Sequence, residues 1–332
     1  MIRGPQKCGF LFFAGKHFWR KKSVLQKKSY LCNLFHYRTF TESPMKIALF
    51  AKKYNPEYRE EIRHLVSMLE QKGIEISIYG AFFELIRDQI EFSTPPQVFR
   101  EAADFPASVD FLFSIGGDGT LLNSVAFLKD STVPVVGLNM GHLGFLTTLS
   151  RHDFESFLSD LLSGNYQLEQ RSLLHVRYNG AETSVLNEVS VHRNTSLTLL
   201  STDVFIDGEF LTTYSGDGLI VATPTGSTAY SLSCGGPILT PNSNCLVLTP
   251  MAVHNLTFRP IIIPDTSHIR LVTRSRADSM AMGLDSNSVE LPVGTEIFIT
   301  KEDFPVNLVR MAGQNFFTAL REKFMWGMDF RN

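Results

Sequence analysis

The sequence predicts two domains, an α/β N-terminal domain with a Rossmann-like parallel sheet and a mainly β C-terminal domain. From residue 45, short apolar runs alternate with segments whose apolar residues recur at helical spacing, a pattern typical of a parallel sheet. Near residue 165 this pattern gives way to short strands joined by tight turns. We place the domains at residues 45–150 and 151–310, and expect residues 311–332 to pack back on the first domain.

Residues 1–44 form a basic leader. They contain nine Lys or Arg and one acid, Glu42, and so carry a net charge of about +8. Because the whole chain carries −2, the remainder carries about −10. Three interpretations stay open: an upstream translation before a true start at Met45, which we favour, an organelle targeting leader, and a disordered tail. The basic residues stop where the folded part begins, so we expect no nucleic-acid partner.

The composition is that of a folded protein without membrane helices. Of the 332 residues, 44% are hydrophobic and 19% are charged, which is enough to bury a sizeable core. No apolar run reaches the roughly 18 residues that a membrane helix needs. The cysteines show no CxxC or metal-site spacing: Cys8, Cys32, Cys234 and Cys245. We therefore expect reduced thiols, a cytoplasmic location and no membrane partner.

The apolar pattern defines the elements of the first domain in order. A strand at residues 46–50 precedes a helix whose buried face follows the i, i+3, i+4, i+7 spacing of Ile62, Leu65, Val66 and Leu69. Gly73 is placed to end this helix in a left-handed cap. Further strands are expected at residues 74–79, 109–115 and 133–138, and a further amphipathic helix at residues 154–162.

The loop after the third strand is the first candidate site. Gly116, Gly117, Asp118, Gly119 and Thr120 lie where a buried strand turns into a helix. The glycines let a phosphate approach the backbone, and the helix N-terminus favours an anion. Because like charges repel, an aspartate in a purely phosphate-holding loop is unexpected, so Asp118 is expected to handle a proton or a metal ion. A plain Gly-Asp-Gly turn is the alternative.

The loop at residues 139–145 follows the next strand and faces the same side of the sheet. Its histidine, His142, is a candidate ligand contact, although a lone loop histidine is more often structural.

Tight turns organise the second domain. Asn179-Gly180 predicts a hairpin between strands 173–177 and 185–191, and Asp207-Gly208 predicts one between strands 204–206 and 210–214. Later strands are expected at residues 255–263, 269–273 and 296–300, and a last helix at residues 315–324.

Two polar residues, Asn187 and Glu188, interrupt the apolar strand 185–191. Strand alternation places them on opposite faces unless a bulge or a strand end intervenes. A functional pair is one interpretation, and a solvent-facing Glu188 is the other.

Residues 216–230 form the second dense stretch, an apolar strand between two Gly-rich turns. The small hydroxyl residues Thr225, Ser227 and Thr228 offer many hydrogen-bonding groups with little bulk. A flat polar ligand such as a nucleobase can lie against them, with Tyr230 as a stacking face. A Ser/Thr-rich turn in a β domain is the alternative.

With these motifs in this order, the chain resembles the NAD kinases, the family that converts NAD to NADP, from about Met45 to the C-terminus. Diacylglycerol kinases, sphingosine kinases and phosphofructokinases carry similar Gly-Gly-Asp-Gly loops, so that loop alone is weak. Its combination with Asn187-Glu188 and the 216–230 stretch is specific. The further matching segments are Gly235-Gly236-Pro237-Ile238, Thr249-Pro250-Met251-Ala252 and Arg259-Pro260.

The resemblance implies a role for each matching residue. Asp118 would be the base that orients and deprotonates the 2′-hydroxyl of the adenosine ribose, and Asn187 and Glu188 would hold ribose hydroxyls. Phosphate contacts are implied for Gly116, Gly117, Gly119 and Thr120, and adenine contacts for Thr225, Thr228, Ala229 and Tyr230. The remaining implied contacts are His142, Phe145, Asp217, Ser233 and Ala252.

The resemblance also implies the ligands and the assembly. NAD and either ATP or polyphosphate would be the substrates, with Mg²⁺ or another divalent cation. Residues 151–310 would be the NAD-binding domain, with a β-sandwich-like fold. The family forms homodimers or homotetramers in which part of the NAD site lies at a subunit contact.

This chain departs from the family at two places, with Asp285-Ser286 for Asp-Gly and Val253-His254 for Pro-His. Two other functions stay open. A lipid kinase of the diacylglycerol or sphingosine kinase type would need an apolar acyl pocket. A non-catalytic NAD or NADP sensor would need neither Asp118 nor the Asn187-Glu188 pair.

Overall fold

The computed structural model describes residues 44–128, 132–141, 144–147, 149–150, 154–194 and 198–325. The basic leader, apart from Pro44, and the candidate His142 lie outside these residues. Within the described part, no helix is both long and apolar enough to cross a bilayer.

A parallel sheet organises the N-terminal half. Its strands from this half of the chain are β1 (Lys46–Phe50), β2 (Glu75–Tyr79), β3 (Gln97–Phe99), β4 (Phe111–Ile115), β5 (Val135–Asn139), β6 (Leu149–Ser150) and β7 (Tyr166–Arg171). The first five lie in the order β3-β2-β1-β4-β5, and every neighbouring pair among them is parallel. The prediction of a Rossmann-like sheet is confirmed.

Helices pack on both faces of this sheet. They are α1 (Arg59–Gln71), α2 (Gly80–Ile86), α3 (Asp118–Val125) and α4 (Phe154–Leu162). Because strand side chains alternate, Ile47 and Leu49 of β1 join one core with α1, whereas Ala48 and Phe50 join the core on the α3 side. The predicted buried face of α1 is confirmed, with Ile62, Leu65, Val66 and Leu69 all buried. Gly73 follows with a φ of 68°, as a left-handed cap requires.

Two six-stranded antiparallel sheets form the second half. Their strands are β8 (Leu174–Tyr178), β9 (Ala181–Val185), β10 (Glu188–Arg193), β11 (Leu200–Ile206), β12 (Glu209–Gly216), β13 (Gly218–Ala222), β14 (Cys245–Met251), β15 (Ile261–Pro264), β16 (Ile269–Arg274), β17 (Ser279–Leu284), β18 (Asn287–Pro292) and β19 (Glu296–Lys301). The strand orders are β15-β14-β13-β10-β17-β18 and β12-β11-β16-β19-β8-β9. Apolar side chains of both sheets share one buried core, so the pair is a β-sandwich.

The strand predicted at residues 185–191 does not form as one element, and the hairpin partner of β8 is β9, which shares only Val185 with that range. β9 ends at Val185 in one sheet of the sandwich, and β10 begins at Glu188 in the other. Leu186 and Asn187 therefore carry the chain from sheet to sheet. A strand end intervenes at the polar pair, and both Asn187 and Glu188 are buried, each 8% exposed. The interpretation of Glu188 as a solvent-facing residue is therefore also wrong.

The chain finally returns to the first sheet through β20 (Val306–Met311), which is parallel to β5 and antiparallel to β7. Both β7 and β20 lie largely within the range that the sequence analysis assigned to the second domain. Both strands contain polar residues, such as Gln170 and Asn307, so neither strand stands out in the sequence as an apolar run. Helix α6 (Phe316–Phe324) follows β20. Two short helical segments lie earlier in the chain, between β13 and β14: the 3₁₀ turn Gly226–Thr228 and α5 (Tyr230–Ser233).

Candidate active site

The carboxylate of Asp118, the first residue of α3, lies at the centre of the candidate site. Its Oδ2 accepts a hydrogen bond from the backbone N–H of Phe145 at 2.8 Å. Its Oδ1 accepts three more, from the N–H of Leu146 at 3.1 Å and from the N–H and the hydroxyl of Thr147, both at 2.9 Å. Four donors fix the orientation of the carboxylate, and Oδ2 keeps a lone pair for a further donor.

Gly144 makes this arrangement sterically possible. A Cβ at this position would lie 1.8 Å from Asp118 Oδ1 and 2.3 Å from Thr147 Oγ1. Both distances are far below van der Waals contact, so any side chain at residue 144 would displace the carboxylate or the loop. Gly144 was not among the predicted site residues.

The other loop residues line the approach to Asp118. Gly116 has a φ of 148°, and a Cβ there would lie 2.4 Å from the Thr120 hydroxyl. In contrast, no described atom lies within 4 Å of a Cβ placed at Gly117 or Gly119. Gly117 and Gly119 therefore border open space at the N-terminus of α3, and a helix N-terminus favours an anion.

Two buried arginines connect the Asp118 loop to the second half of the chain. Arg310 donates to the carbonyl oxygens of Phe145 at 3.1 Å and Leu146 at 3.3 Å, and pairs with Glu169 at 2.6 Å. Glu169 also pairs with Arg171 at 3.0 Å, and Arg171 donates to the Thr225 hydroxyl at 3.3 Å. A continuous chain of polar contacts thus runs from the Asp118 loop to the 225–229 segment.

Charge neutralisation within this group follows from its geometry. Burial lowers the pKa of Arg171 to about 10, against the effect of Glu169, so the guanidinium stays charged at neutral pH. Burial works to raise the pKa of Glu169, but the two guanidinium groups hold it below its usual value. Buried charges are costly unless paired, and here each is paired.

The side chain of Asp285 holds the backbone of the Asn187-Glu188 segment. Its carboxylate accepts hydrogen bonds from three successive N–H groups, those of Leu186 at 2.8 Å, Asn187 at 2.7 Å and Glu188 at 3.1 Å. Asp285 itself has a φ of 51°, a left-handed conformation that aspartate tolerates. The departure to Asp285-Ser286 thus leaves a tight turn that also supports the polar pair.

Glu188 lies in an environment that disfavours its charge. Burial and the nearby Asp285 carboxylate raise the pKa of Glu188 to about 8, opposed by a hydrogen bond from the Tyr230 backbone. Among the described residues, neither Glu188 Oε2 nor Asn187 Oδ1 has a hydrogen-bond partner, although both atoms are buried. Buried polar atoms of this kind are usually satisfied, so the two oxygens are candidate contacts for a ligand with hydroxyl or amide donors.

The 216–230 stretch packs directly on the polar pair. The N–H of Thr223 donates to the carbonyl of Asn187 at 2.9 Å, and its hydroxyl donates to the carbonyl of Leu186. A Cβ at Gly226 would lie 2.1 Å from the Asn187 carbonyl oxygen, so only glycine allows this contact. The close fit brings the two motifs into one site.

A cleft of about 390 Å³ opens over these residues, a size suited to a small ligand. It is lined by Asp118, Phe145, Leu146, Asn187, Thr225, Thr228, Ala229, Lys323 and Phe324. The structure therefore unites six of the predicted residues, Asp118, Phe145, Asn187, Thr225, Thr228 and Ala229, around one cavity.

The remaining predicted residues lie beside the cleft or farther away. Tyr230 is 43% exposed, and partial burial, with smaller effects of Cys234, Asp217 and Glu188, raises the pKa of its hydroxyl. Asp217 pairs with Arg193 at 2.9 Å. Ala252 and Ser233 are exposed and do not line the cleft within the described part of the chain.

Eight further residues of the site were not among the predicted site residues: Gly144, Thr147, Glu169, Arg171, Asp285, Arg310, Lys323 and Phe324. Their signals were weak because their partners are distant in sequence. Glu169 and Arg171 carried the one available hint, since two opposite charges flank a single residue in what is a strand.

The described residues contain no group of three or more His, Cys, Asp or Glu side chains arranged to hold a metal ion. Mg²⁺ commonly binds through one or two carboxylates together with substrate phosphates. The single Asp118 carboxylate, beside a backbone open to phosphate, suits a metal ion that arrives with a nucleotide.

Known protein families and individual relatives match most of this chain. The ATP-NAD kinase N-terminal domain family matches residues 47–166, and the C-terminal domain family matches residues 186–311. The NAD kinase of Christiangramia forsetii is 38% identical over 294 residues, covering 87% of this chain and 100% of the relative. That of Flavobacterium psychrophilum is 36% identical, with the same coverage.

Two solved structures are similar to this chain over most of its length. The structure of yeast NADH kinase complexed with NADH has a TM-score of 0.80 and 26% identity, covering 88% of this chain and 90% of that chain. The structure of an NAD kinase from Archaeoglobus fulgidus in complex with ATP has a TM-score of 0.65 and 25% identity. The match covers 85% of this chain and 98% of that chain.

The close contact at Gly144 predicts that Gly144→Ala destabilises the fold. The new methyl group must displace Asp118 or Thr147, and overpacking of this kind costs about 1–3 kcal/mol. Thermal unfolding should therefore begin several degrees lower. Gly141→Ala is the matched control, because a Cβ at residue 141 meets no described atom outside its chain neighbours closer than 3.7 Å. Equal melting temperatures for both variants would contradict the geometry.

The raised pKa of Glu188 predicts a pH-dependent stability. The folded protein holds this proton up to about pH 8, whereas the unfolded chain releases it near the usual value of 4.5. Stability from Glu188 is thus full below pH 4.5 and is lost as the pH rises towards 8. Glu188→Gln should gain stability relative to the parent over this range, by about 1.4 kcal/mol for each unit of pKa difference at most.

Urea unfolding of the parent and of Glu188→Gln between pH 5 and pH 9 measures this effect. Glu182→Gln serves as the control, since its side chain is 72% exposed. Parallel stability curves for the parent and Glu188→Gln would show that burial does not perturb Glu188.

Proposed function

Because the chain belongs to the NAD kinase family, we propose that it transfers the terminal phosphoryl group of ATP or polyphosphate to the 2′-hydroxyl of the adenosine ribose of NAD, giving NADP. The observation that carries the proposal is the Asp118 carboxylate, fixed by four donors and lining a cleft together with Asn187 and Thr225. The relatives solved with NADH and with ATP support the two kinds of substrate.

Asp118 acts as the general base in this proposal. Its Oδ1 is occupied by three hydrogen bonds, so Oδ2 is the oxygen that accepts the proton of the 2′-hydroxyl. Phosphoryl transfer has a loose transition state and depends mainly on positioning and charge neutralisation. A carboxylate held by the backbone meets that need, because it aligns the attacking oxygen without moving itself.

The donor phosphates bind at the start of α3. The backbone at Gly117 and Gly119 borders open space, and the helix N-terminus favours anions. Asp118 would help to hold Mg²⁺ or another divalent cation that arrives with the donor, and the cation would supply charge neutralisation on the phosphates. Thr120 supports the loop through its packing against Gly116.

The NAD binds along the far wall of the cleft. The unpartnered buried oxygens of Asn187 and Glu188 accept hydrogen bonds from ribose hydroxyls. Thr225, Thr228 and Ala229 form the adenine-facing wall. Tyr230 stacks on a flat ring from its exposed position. His142 and Ser233 remain proposed contacts.

We also propose a homodimer or homotetramer that works in the cytoplasm. Large apolar side chains are exposed on the sandwich half, including Leu256 at 83%, Phe210 at 59% and Ile262 at 50%. A second subunit covering such surface would place Asp217 and Ala252 at a subunit contact. The unpaired thiols of Cys234 and Cys245 support a reducing compartment.

The comparisons support neither alternative function. The relatives are curated as NAD kinases rather than as lipid kinases or sensors. The cleft beside Asp118 is lined by polar as well as apolar side chains, in contrast to an acyl pocket.

The proposed reaction can be tested by a direct assay of NADP formation. The chain, incubated with NAD, ATP and Mg²⁺, should form NADP, detected with an NADP-specific dehydrogenase. Asp118→Asn, which removes the base, should lower kcat by at least about 100-fold. Asp88→Asn, whose side chain is 88% exposed, is the matched control and should keep full activity.

Two results would count against the proposal. Near-normal turnover by folded Asp118→Asn would remove Asp118 from the role of base. No NADP from the parent, with ATP and then with polyphosphate as donor, would contradict the reaction itself.

A further inference from the structure

Helix α6 brings the C-terminal part of the chain to the cleft. Its N-terminus is capped by Asn315, whose side chain accepts from the N–H of Thr318 at 3.0 Å. Phe316 and Phe324 pack on the ring of Phe145, with centroid separations of 6.1 and 5.4 Å. Since the Phe145 backbone also donates to Asp118, the helix is positioned by the same residue that orients the candidate base.

This helix places a lysine beside the carboxylate. The ammonium nitrogen of Lys323 lies 3.9 Å from Asp118 Oδ2 and 4.7 Å from the centroid of the Phe145 ring. The first distance allows electrostatic attraction but exceeds that of a hydrogen bond. The side chain is 31% exposed and faces the cleft, so its donors are available to a ligand.

Lys323 is the sole cation among the described residues that line the cleft. The nearby guanidinium groups are committed elsewhere, with Arg310 bound to Glu169 and two carbonyl groups, and Arg171 bound to Glu169 and Thr225. The glycine loop carries no lysine of its own. Among the described residues of the cleft lining, a phosphoryl group passing Asp118 Oδ2 therefore meets one side-chain cation.

We propose that Lys323 is a catalytic residue that binds the phosphoryl group during its transfer to the 2′-hydroxyl. This inference rests on the proposed function. The bond from phosphorus to the donor oxygen breaks as the bond to the 2′-oxygen forms, and the hydroxyl proton passes to Asp118. Lys323 forms no covalent bond. Its ammonium donates hydrogen bonds to the transferring oxygens and offsets their negative charge, as cationic clamps do in phosphoryl transfer.

The position of Lys323 has a second consequence, which concerns the repulsion between Asp118 and the phosphoryl group. Asp118 and a phosphoryl group are both anionic and repel each other at close range. An ammonium close to both lowers that repulsion, so the attacking hydroxyl and the phosphoryl group can approach together. The effect belongs to the transition state and should appear in kcat more than in NAD binding.

The test compares three variants with the parent. Lys323→Met keeps an apolar chain that can pack on Phe145 but removes the charge. Lys323→Arg keeps the charge with a different shape. Arg321→Met removes a charge from the same helix at a residue outside the cleft lining. For each, the steady-state kcat, the KM values for ATP and NAD, the Kd for NAD and the melting temperature are measured.

We expect Lys323→Met to lower kcat by at least about 100-fold, the size typical of a lost electrostatic donor. Its Kd for NAD should stay within about threefold of the parent. Lys323→Arg should recover part of the loss, and Arg321→Met should resemble the parent. If Lys323 only anchored α6 on Phe145, Lys323→Met would retain turnover, and that result would overturn the inference.

The controls separate the possible failures. An active parent with unimpaired Lys323→Met contradicts the role of Lys323 alone, whereas an inactive parent contradicts the proposed reaction. If Lys323→Met melts at a much lower temperature, Lys323→Gln replaces it. Equal kcat values for folded Lys323→Gln and Lys323→Arg would then overturn the inference, because only the second retains the charge.

Discussion

The structure depends most on the contact between the Asp118 carboxylate and the backbone N–H groups of Phe145, Leu146 and Thr147. This contact ties the loop after β4 to the loop after β5, the point at which a parallel sheet usually binds its ligands. It fixes one carboxylate oxygen completely and leaves the other able to accept a proton. It also explains why residue 144 must be glycine, because any side chain would occupy the place of the carboxylate.

The same contact is supported from the second half of the chain. Arg310 holds the carbonyl groups of the loop whose N–H groups hold Asp118, and Glu169 joins Arg310 to Arg171 and so to Thr225. Because the two guanidinium groups are buried, removing Glu169 would leave buried charges unpaired at a large cost, so these contacts hold the two sides of the cleft in one arrangement. The strands β7 and β20 carry all three charged residues, so the return of the chain to the first sheet places these residues beside the Asp118 loop.

Much of this arrangement could be predicted from the sequence where the signal is local. The buried face of α1, the glycine loop before α3 and the turns at Asn179-Gly180 and Asp207-Gly208 follow from short-range periodicity and turn chemistry. The switch between sheets at Asn187 could not be predicted, because an apolar run looks the same in one strand or two. The roles of Asp285, Arg310 and Lys323 depend on contacts between residues far apart in the chain, for which a single sequence holds no periodic signal.

The most direct measurement of the central claim is a crystal structure of the chain with NAD and a non-hydrolysable ATP analogue. The account predicts the 2′-oxygen of the adenosine ribose within hydrogen-bond distance of Asp118 Oδ2, at about 2.5–3.0 Å, with the hydrogen bonds from residues 145–147 intact. A ribose held beyond about 5 Å from Oδ2, a separation that excludes both a direct hydrogen bond and proton transfer, would contradict it.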